Sequence, residues 1–136
     1  MMIKKSYSQS GFSLIELLVV ATIIIILMTI GMVSYRQSSR NARNAKRKSD
    51  LESVRQALVL YRNDTDGYPD PIATDDTNAA FEEMLTTIVD YISFSSLVDP
   101  KSPTYDYTYG SDGADFELCA TLETSSGTES YCIDNP

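Results

Sequence analysis

Apolar residues follow three different patterns along the chain, and each predicts a different element. From Leu17 to Tyr35 the sequence LLVVATIIIILMTIGMVSY runs nineteen residues without a charge. At 1.5 Å per residue that helix spans roughly 28 Å, close to the ~30 Å hydrocarbon thickness of a bilayer. A helix on a soluble core keeps a polar face, whereas this one is apolar all round. A membrane-spanning helix is the reading adopted, with a helix buried in a soluble protein as its competitor. No proline or glycine occurs from Met32 to Asp66. Residues 36–62 are rich in Arg, Lys, Gln, Ala and Leu, so one continuous helix is expected from Phe12 to Arg62. At 100° per residue, Arg36, Arg40, Arg43 and Arg47 fall within about 60° of one another. Leu51, Val54, Leu58 and Tyr61 continue the same line. That apolar stretch should pack on the remainder of the chain. Ser38, Ala42, Ala45 and Ser49 form an opposite, small-residue line. It would let a second helix approach closely, or it is simply solvated.

Beyond the long helix, Asn63–Gly67 reads as its end, with Gly67 as the stop or turn residue, and Tyr68-Pro69-Asp70-Pro71 as an extended exit. Asn78 is placed to cap a short helix over residues 79–90, with Phe81, Leu85, Ile88 and Ile92 facing inward. Asp99-Pro100 starts another turn. The third pattern is alternation. Tyr105, Tyr107 and Tyr109 alternate up to Gly110–Gly113; Phe116, Leu118, Ala120 and Leu122 alternate up to Ser125–Gly127; Tyr131 and Ile133 follow. Three short antiparallel strands in a meander are predicted, packed on the Leu51–Tyr61 face. The fold class is therefore α+β: a long N-terminal helix, half apolar anchor and half amphipathic, on a small antiparallel sheet. Cys119 and Cys132 both point away from the apolar face in this register, and they can bridge if the hairpin pairs them. A bridge would close a loop of about 14 residues, contribute roughly 3 kcal/mol and imply an oxidising compartment. Two free thiols are the alternative.

Charge divides the chain in the same place. Residues 1–62 hold ten Lys/Arg against three acids, and residues 63–136 hold Lys101 against sixteen acids. The formal total of −8 describes neither half. The acidic half alone is long enough to be globular, with a small core. Histidine and tryptophan are absent, which removes the commonest general base and transition-metal ligand. A large enzyme and a classical zinc protein are excluded, as is a basic nucleic-acid-binding domain in the C-terminal half. No nucleophile–base pair, phosphate loop or cysteine–histidine cluster is present, so no enzyme activity is expected. Asp112, Asp115, Glu117, Glu123 and Asp134 match no EF-hand spacing. They are read as a solvated acidic surface, with no metal and no cofactor. The basic run RQSSRNARNAKRK conflicts with the positive-inside rule, which by simple counting would keep the C-terminal domain in the cytoplasm. It would also suit contact with anionic lipid or nucleic acid.

The residues before the apolar run are arranged unlike a secretory signal, in which the apolar region precedes the cleavage site. Lys4 and Lys5 lead through Ser6–Ser10 to Gly11, and only then does the apolar region begin. A cut at Gly11 would remove the charges and keep the helix. Gly11-Phe12-Ser13-Leu14-Ile15-Glu16-Leu17 resembles the class III leader of type IV pilins and type II secretion pseudopilins. Ala57-Leu58, Tyr61 and Tyr68-Pro69 resemble the segment that follows the anchor in that family. The resemblance implies that a membrane aspartyl peptidase cuts after Gly11 and that the new N-terminal Phe12 is N-methylated. The family usually has a proline near Val33 and a glycine near Ile25, and this chain has neither.

Glu16 costs several kcal/mol at the edge of hydrocarbon unless it is paired. The α-amino group of Phe12 is the available cation, either within one helix or from a neighbouring subunit. The resemblance implies the second arrangement, in which pairing drives assembly in register; a snorkelling or protonated glutamate is the alternative. Type IV pilins often carry a C-terminal disulfide loop where major pseudopilins hold calcium, which favours the pilin reading. Four segments are implied: a leader, 1–11, that is removed; a transmembrane and filament-core helix, 12–35; an exposed half-helix, 36–62; and a globular head, 63–136. The expected function is that of a type IV pilus-like filament subunit. A type II secretion pseudopilin and a membrane-tethered domain binding lipid or nucleic acid are the alternatives. The expected partners are identical or related subunits, the prepilin peptidase, an assembly platform and membrane lipid. The expected location is the bacterial cytoplasmic membrane, single-pass with the head outside, and then an extracellular filament.

Overall fold

The computed structural model describes residues 11–71, 77–93 and 97–136. Lys4, Lys5 and the rest of the leader before Gly11 lie outside them. The chain forms two compact units, Met1–Gln37 and Ser38–Pro136. Helix α1, Leu14–Thr65, runs through the boundary. It begins where the Ser13 carbonyl accepts the N–H groups of Glu16 (3.1 Å) and Leu17 (3.2 Å).

In the first unit every described side chain is exposed, from 44 % at Ile24 to 84 % at Leu14 among the large apolar residues. An 18-residue window reaches a mean hydropathy of 2.8, so by length and composition this segment can cross a membrane. Its hydroxyls suit that medium. Thr22 donates to the Val19 carbonyl and Thr29 to the Ile26 carbonyl, each at 2.8 Å. No polar hydrogen of these side chains is left for water to satisfy.

In the second unit α1 buries Leu51, Val54 and Leu58, as its periodicity predicts, and also Arg47 and Ala57. Tyr61 is partly buried against the same core. The helix does not end on Gly67 as expected. Asp66 takes the left-handed conformation (φ 64°), which a short polar side chain tolerates, and its N–H donates to the Arg62 carbonyl at 2.9 Å. Gly67 serves close approach instead: a Cβ there would stand 3.2 Å from the Gly113 carbonyl oxygen. The same oxygen accepts the Tyr68 N–H at 2.9 Å. Tyr68 then packs edge-on against Phe116, with ring centroids 4.7 Å apart.

Helix α2 spans Asn78–Thr87 and buries Ala80, Phe81, Met84 and Leu85. Its cap is Thr77, not Asn78: Thr77 is extended (φ −110°, ψ 158°) and its hydroxyl accepts the Ala80 N–H at 3.2 Å. The helix stops short of residue 90 because Ile88 leaves helical geometry (φ −95°, ψ 20°). Ile88 is still fully buried, and Ile92 packs at the edge of the core.

Strands β1 (Thr108–Ser111), β2 (Phe116–Glu123) and β3 (Thr128–Asp134) form one antiparallel sheet in the order β1-β2-β3. This is the meander that the alternation predicts, except that β1 starts at Thr108 and runs on through Gly110 and Ser111, so of the three alternating tyrosines only Tyr109 lies in it. Tyr109, Phe116, Leu118 and Ala120 face the core. At the β1–β2 turn Gly113 has φ 84°, and the Asp112 carboxylate accepts the N–H groups of Ala114 (3.0 Å) and Asp115 (2.9 Å). In β2–β3 the register sets Cys119 opposite Cys132, and a disulfide joins them.

Candidate functional site

Two regions carry polar chemistry of different kinds. The first is the segment around Gly11. Gly11 and Phe12 precede α1 in irregular backbone. Among the described residues, a Cβ added at Gly11 would meet nothing within 4 Å, and Phe12 is 76 % exposed. Glu16 lies in the first turn of α1, where unpaired N–H groups and the helix dipole favour a carboxylate. Among the described residues Glu16 has no cationic partner.

The second region is a charged cluster within the second unit, where α1 meets the end of β2 and the loop around Asp99. Arg47 is fully buried. It donates to both oxygens of Asp99, from Nε at 2.6 Å and Nη2 at 2.9 Å, and from Nη1 to Glu123 Oε1 at 3.0 Å. Arg43 grips Glu123 with Nε at 2.7 Å and Nη2 at 2.6 Å. Lys101 Nζ lies 3.0 Å from Glu123, and the Lys101 N–H donates to Asp99 Oδ1 at 2.7 Å.

Asn44 completes the joint by treating Glu123 as a neighbouring strand would. Its Nδ2 donates to the Glu123 carbonyl at 2.8 Å and its Oδ1 accepts the Glu123 N–H at 2.9 Å. Arg40 adds a bond to the Thr124 carbonyl at 3.0 Å. The hydrogen bond from Arg43, followed by those from Lys101 and Arg47, holds the Glu123 carboxyl well below the usual carboxylate range despite burial. The same bonds, to Asp99 for Arg47 and to Glu123 for Arg43, raise the guanidinium values. No buried side-chain N or O among the described residues lacks a hydrogen-bond partner.

This cluster corrects two expectations. Glu123 is not part of a solvated acidic surface, and Arg43 and Arg47 of the basic run are engaged inside the protein. The contact of α1 with the head therefore begins near Arg40, well before Leu51. The placement of Arg40, Arg43 and Arg47 on the line continued by Leu51 was the signal in the sequence. Asn44, Asp99 and the role of Glu123 had no such signal. The arrangement offers positioning, not catalysis: every oxygen that could act as a base is occupied by a cation. Nearby, the Tyr107 hydroxyl donates to Asp50 at 2.8 Å. Burial first, then that bond, pushes Tyr107 up.

Residues 7–32 match the family model described as the prokaryotic N-terminal methylation motif. A curated relative, the type II secretion system core protein G of Pectobacterium carotovorum subsp. carotovorum, is 32 % identical over 66 residues. The match covers 48 % of this chain and 42 % of the relative, so the chain spans less than half of the relative's length. No solved structure matches. With the long helix and small antiparallel sheet, these likenesses support the type IV pilin and pseudopilin family, whose members are structural subunits. The motif and the apolar helix fit a membrane-anchored subunit.

Proposed function

We propose that this chain is a filament subunit, cut after Gly11, N-methylated on Phe12, and assembled through the apolar half of α1. The observation that carries the reading is the glycine–phenylalanine–glutamate motif directly ahead of an uncharged stretch of α1, Leu17–Tyr35, whose every face is exposed. In water such a surface would associate without order. In a membrane it is solvated, and in a bundle of like helices it is buried. Glu16 then supplies register. Its carboxylate needs a cation at the same depth, and cleavage creates one at the Phe12 amine of a neighbouring subunit. The head stands outside the cytoplasmic membrane, where a Cys119–Cys132 disulfide persists, and the finished filament is extracellular. The partners are like subunits, a prepilin peptidase, an assembly platform and membrane lipid.

A type IV pilus-like filament is favoured by the disulfide in the C-terminal hairpin. A type II secretion pseudopilus is the second reading, supported by the likeness to core protein G. Mass spectrometry of the mature N-terminus tests the common element. A chain beginning at methylated Phe12 is expected, and an intact Met1 on membrane-inserted protein refutes the proposal. Recovery of sheared extracellular filaments, against retention of the processed subunit in the envelope, separates the two readings.

A further inference from the structure

The outward face of the β2–β3 hairpin carries ligand groups that the proposed assembly through α1 does not call on. The register pairs Cys119 with Cys132 and Glu117 with Asp134. Side-chain alternation puts all four on one face, opposite Leu118 and Ala120. The two cysteine Cα atoms are 4.1 Å apart. A Glu117 carboxylate oxygen and the two Sγ atoms lie within 4.8 Å of one another. Glu117 and Cys132 are exposed, so a solute can reach the group. Seven register pairs, from Glu117↔Asp134 to Glu123↔Thr128, hold the two strands together independently of the sulfur–sulfur bond. Opening that bond should therefore leave the backbone carrying the cysteines aligned.

We propose that reduction of the Cys119–Cys132 disulfide turns this face into a site for one thiophilic divalent cation of the zinc type, held by Cys119, Cys132 and Glu117. The remaining tetrahedral position is open to water or to Asp134. A dithiol reductant gives two electrons and two protons to the disulfide and is itself oxidised to a disulfide, leaving two cysteine thiols. The cation then displaces both thiol protons to solvent and binds the two thiolates. Zinc–sulfur bonds of ~2.3 Å in tetrahedral geometry need sulfurs roughly 3.7 Å apart, a separation that facing side chains on adjacent strands can span. Two thiolates favour zinc over calcium, which would require six or more oxygen ligands. The hairpin thus has two alternative cross-links, one covalent and one metallic, selected by the redox state around it. The site stands apart from the filament proposal and survives its failure.

The test uses the full-length chain in detergent, reduced with dithiothreitol, desalted under argon and titrated with Zn²⁺ or Co²⁺. One cation per reduced chain is expected, with thiolate-to-cobalt charge-transfer absorption and protection of both cysteines from alkylation. The oxidised chain should show none of these. Glu117→Gln, with both thiols intact, should weaken binding by about a hundredfold or more, beyond the roughly ten- to hundredfold that loss of an outer-shell partner costs. Because reduction loosens the head, thermal unfolding is recorded as well: zinc should raise the Tm of the reduced wild type and raise that of Glu117→Gln less. Equal zinc binding by reduced and oxidised protein overturns the proposal, as does equal affinity in Glu117→Gln or a reduced chain whose Tm zinc leaves unchanged.

Discussion

Arg47 and Asp99, fifty-two residues apart in sequence, meet through two parallel hydrogen bonds of 2.6 and 2.9 Å. Both side chains are completely withdrawn from solvent. The pair ties the middle of α1 to the loop that precedes the sheet. Asp99 also accepts the Lys101 N–H, so the acid orders its own loop while binding the helix. A fork of this kind fixes direction as well as distance.

Removing one member should be far worse than removing both. Asp99→Ala leaves the Arg47 guanidinium buried beside Glu123 alone, and should cost about 3–5 kcal/mol of stability. The double substitution Arg47→Met with Asp99→Leu should recover a large part of that loss, because no unpaired charge is then buried: Glu123 loses Arg47 but keeps Arg43 and Lys101. Urea unfolding of the full chain in detergent, followed by tyrosine fluorescence, measures both. A loss below about 1 kcal/mol for Asp99→Ala, the range of an exposed pair, would mean that water reaches the site.

Glu123 predicts how the head responds to acid. Its folded-state value is depressed below the ordinary 4.5, so the unfolded chain takes up the proton first. The stability it contributes is fully present above pH 4.5 and is lost as pH falls below that value towards the depressed one. In Glu123→Gln this part of the acid sensitivity should disappear. Denaturation midpoints of wild type and variant should therefore converge as pH is lowered from about 5 to 2. Parallel curves across that range would contradict the assignment.

Tyr109 predicts the alkaline limb. Burial pushes its phenol up to about 12 from the ordinary 10, and its hydroxyl donates to the Pro69 carbonyl at 2.7 Å. Below pH 10 its contribution is whole. Between 10 and 12 the unfolded phenol ionises and the folded one does not, so stability falls as pH rises. Tyr109→Phe should be less stable at neutral pH yet lose less between pH 10 and 12. A steeper alkaline loss in the variant would show that another group governs this limb.

The redox state of the cysteines in cells tests topology as well as stability. Cys119→Ser should abolish the mobility shift seen on reduction in a non-reducing gel, and should lower stability by about 3 kcal/mol or less. Oxidised cysteines in protein taken directly from cells place the head outside, against the simple positive-inside count. Thiols open to alkylation, in a head that protease added to spheroplasts leaves intact, would place it in the cytoplasm and refute the proposed filament function with it.

Gly11 and Glu16 separate processing from assembly. Gly11→Val should block cleavage and leave precursor in the membrane. Glu16→Ala should still be cleaved yet assemble poorly, because the Phe12 amine is then the unpaired charge in the core. Filaments at wild-type yield from Glu16→Ala would refute the pairing.

What could be read from the sequence rests on local periodicity. Nineteen uncharged residues, a helical line from Leu51 to Tyr61, and the alternation of Phe116, Leu118 and Ala120 each specify an element through residues close together in the chain. The elements appear where those patterns lie, and the same alternation puts both cysteines on one face; that they stand opposite one another was decided by the β2–β3 pairing. What tertiary structure alone decided involves residues far apart. Arginine has the same label whether it is solvated at position 36 or buried at 47; only the arrival of Asp99 and Glu123 distinguishes them. Asn44 docks on the end of β2 seventy-nine residues away, a match of an amide to one exposed peptide group that no spacing announces. Thr77 outcompetes Asn78 as a cap, and Asp66 outcompetes Gly67 as the helix stop, for a shared reason. Several residues at each boundary can satisfy the same backbone groups, and the position of the neighbouring element selects among them. Gly67 is needed against the Gly113 carbonyl, so the turn of the chain falls one residue earlier.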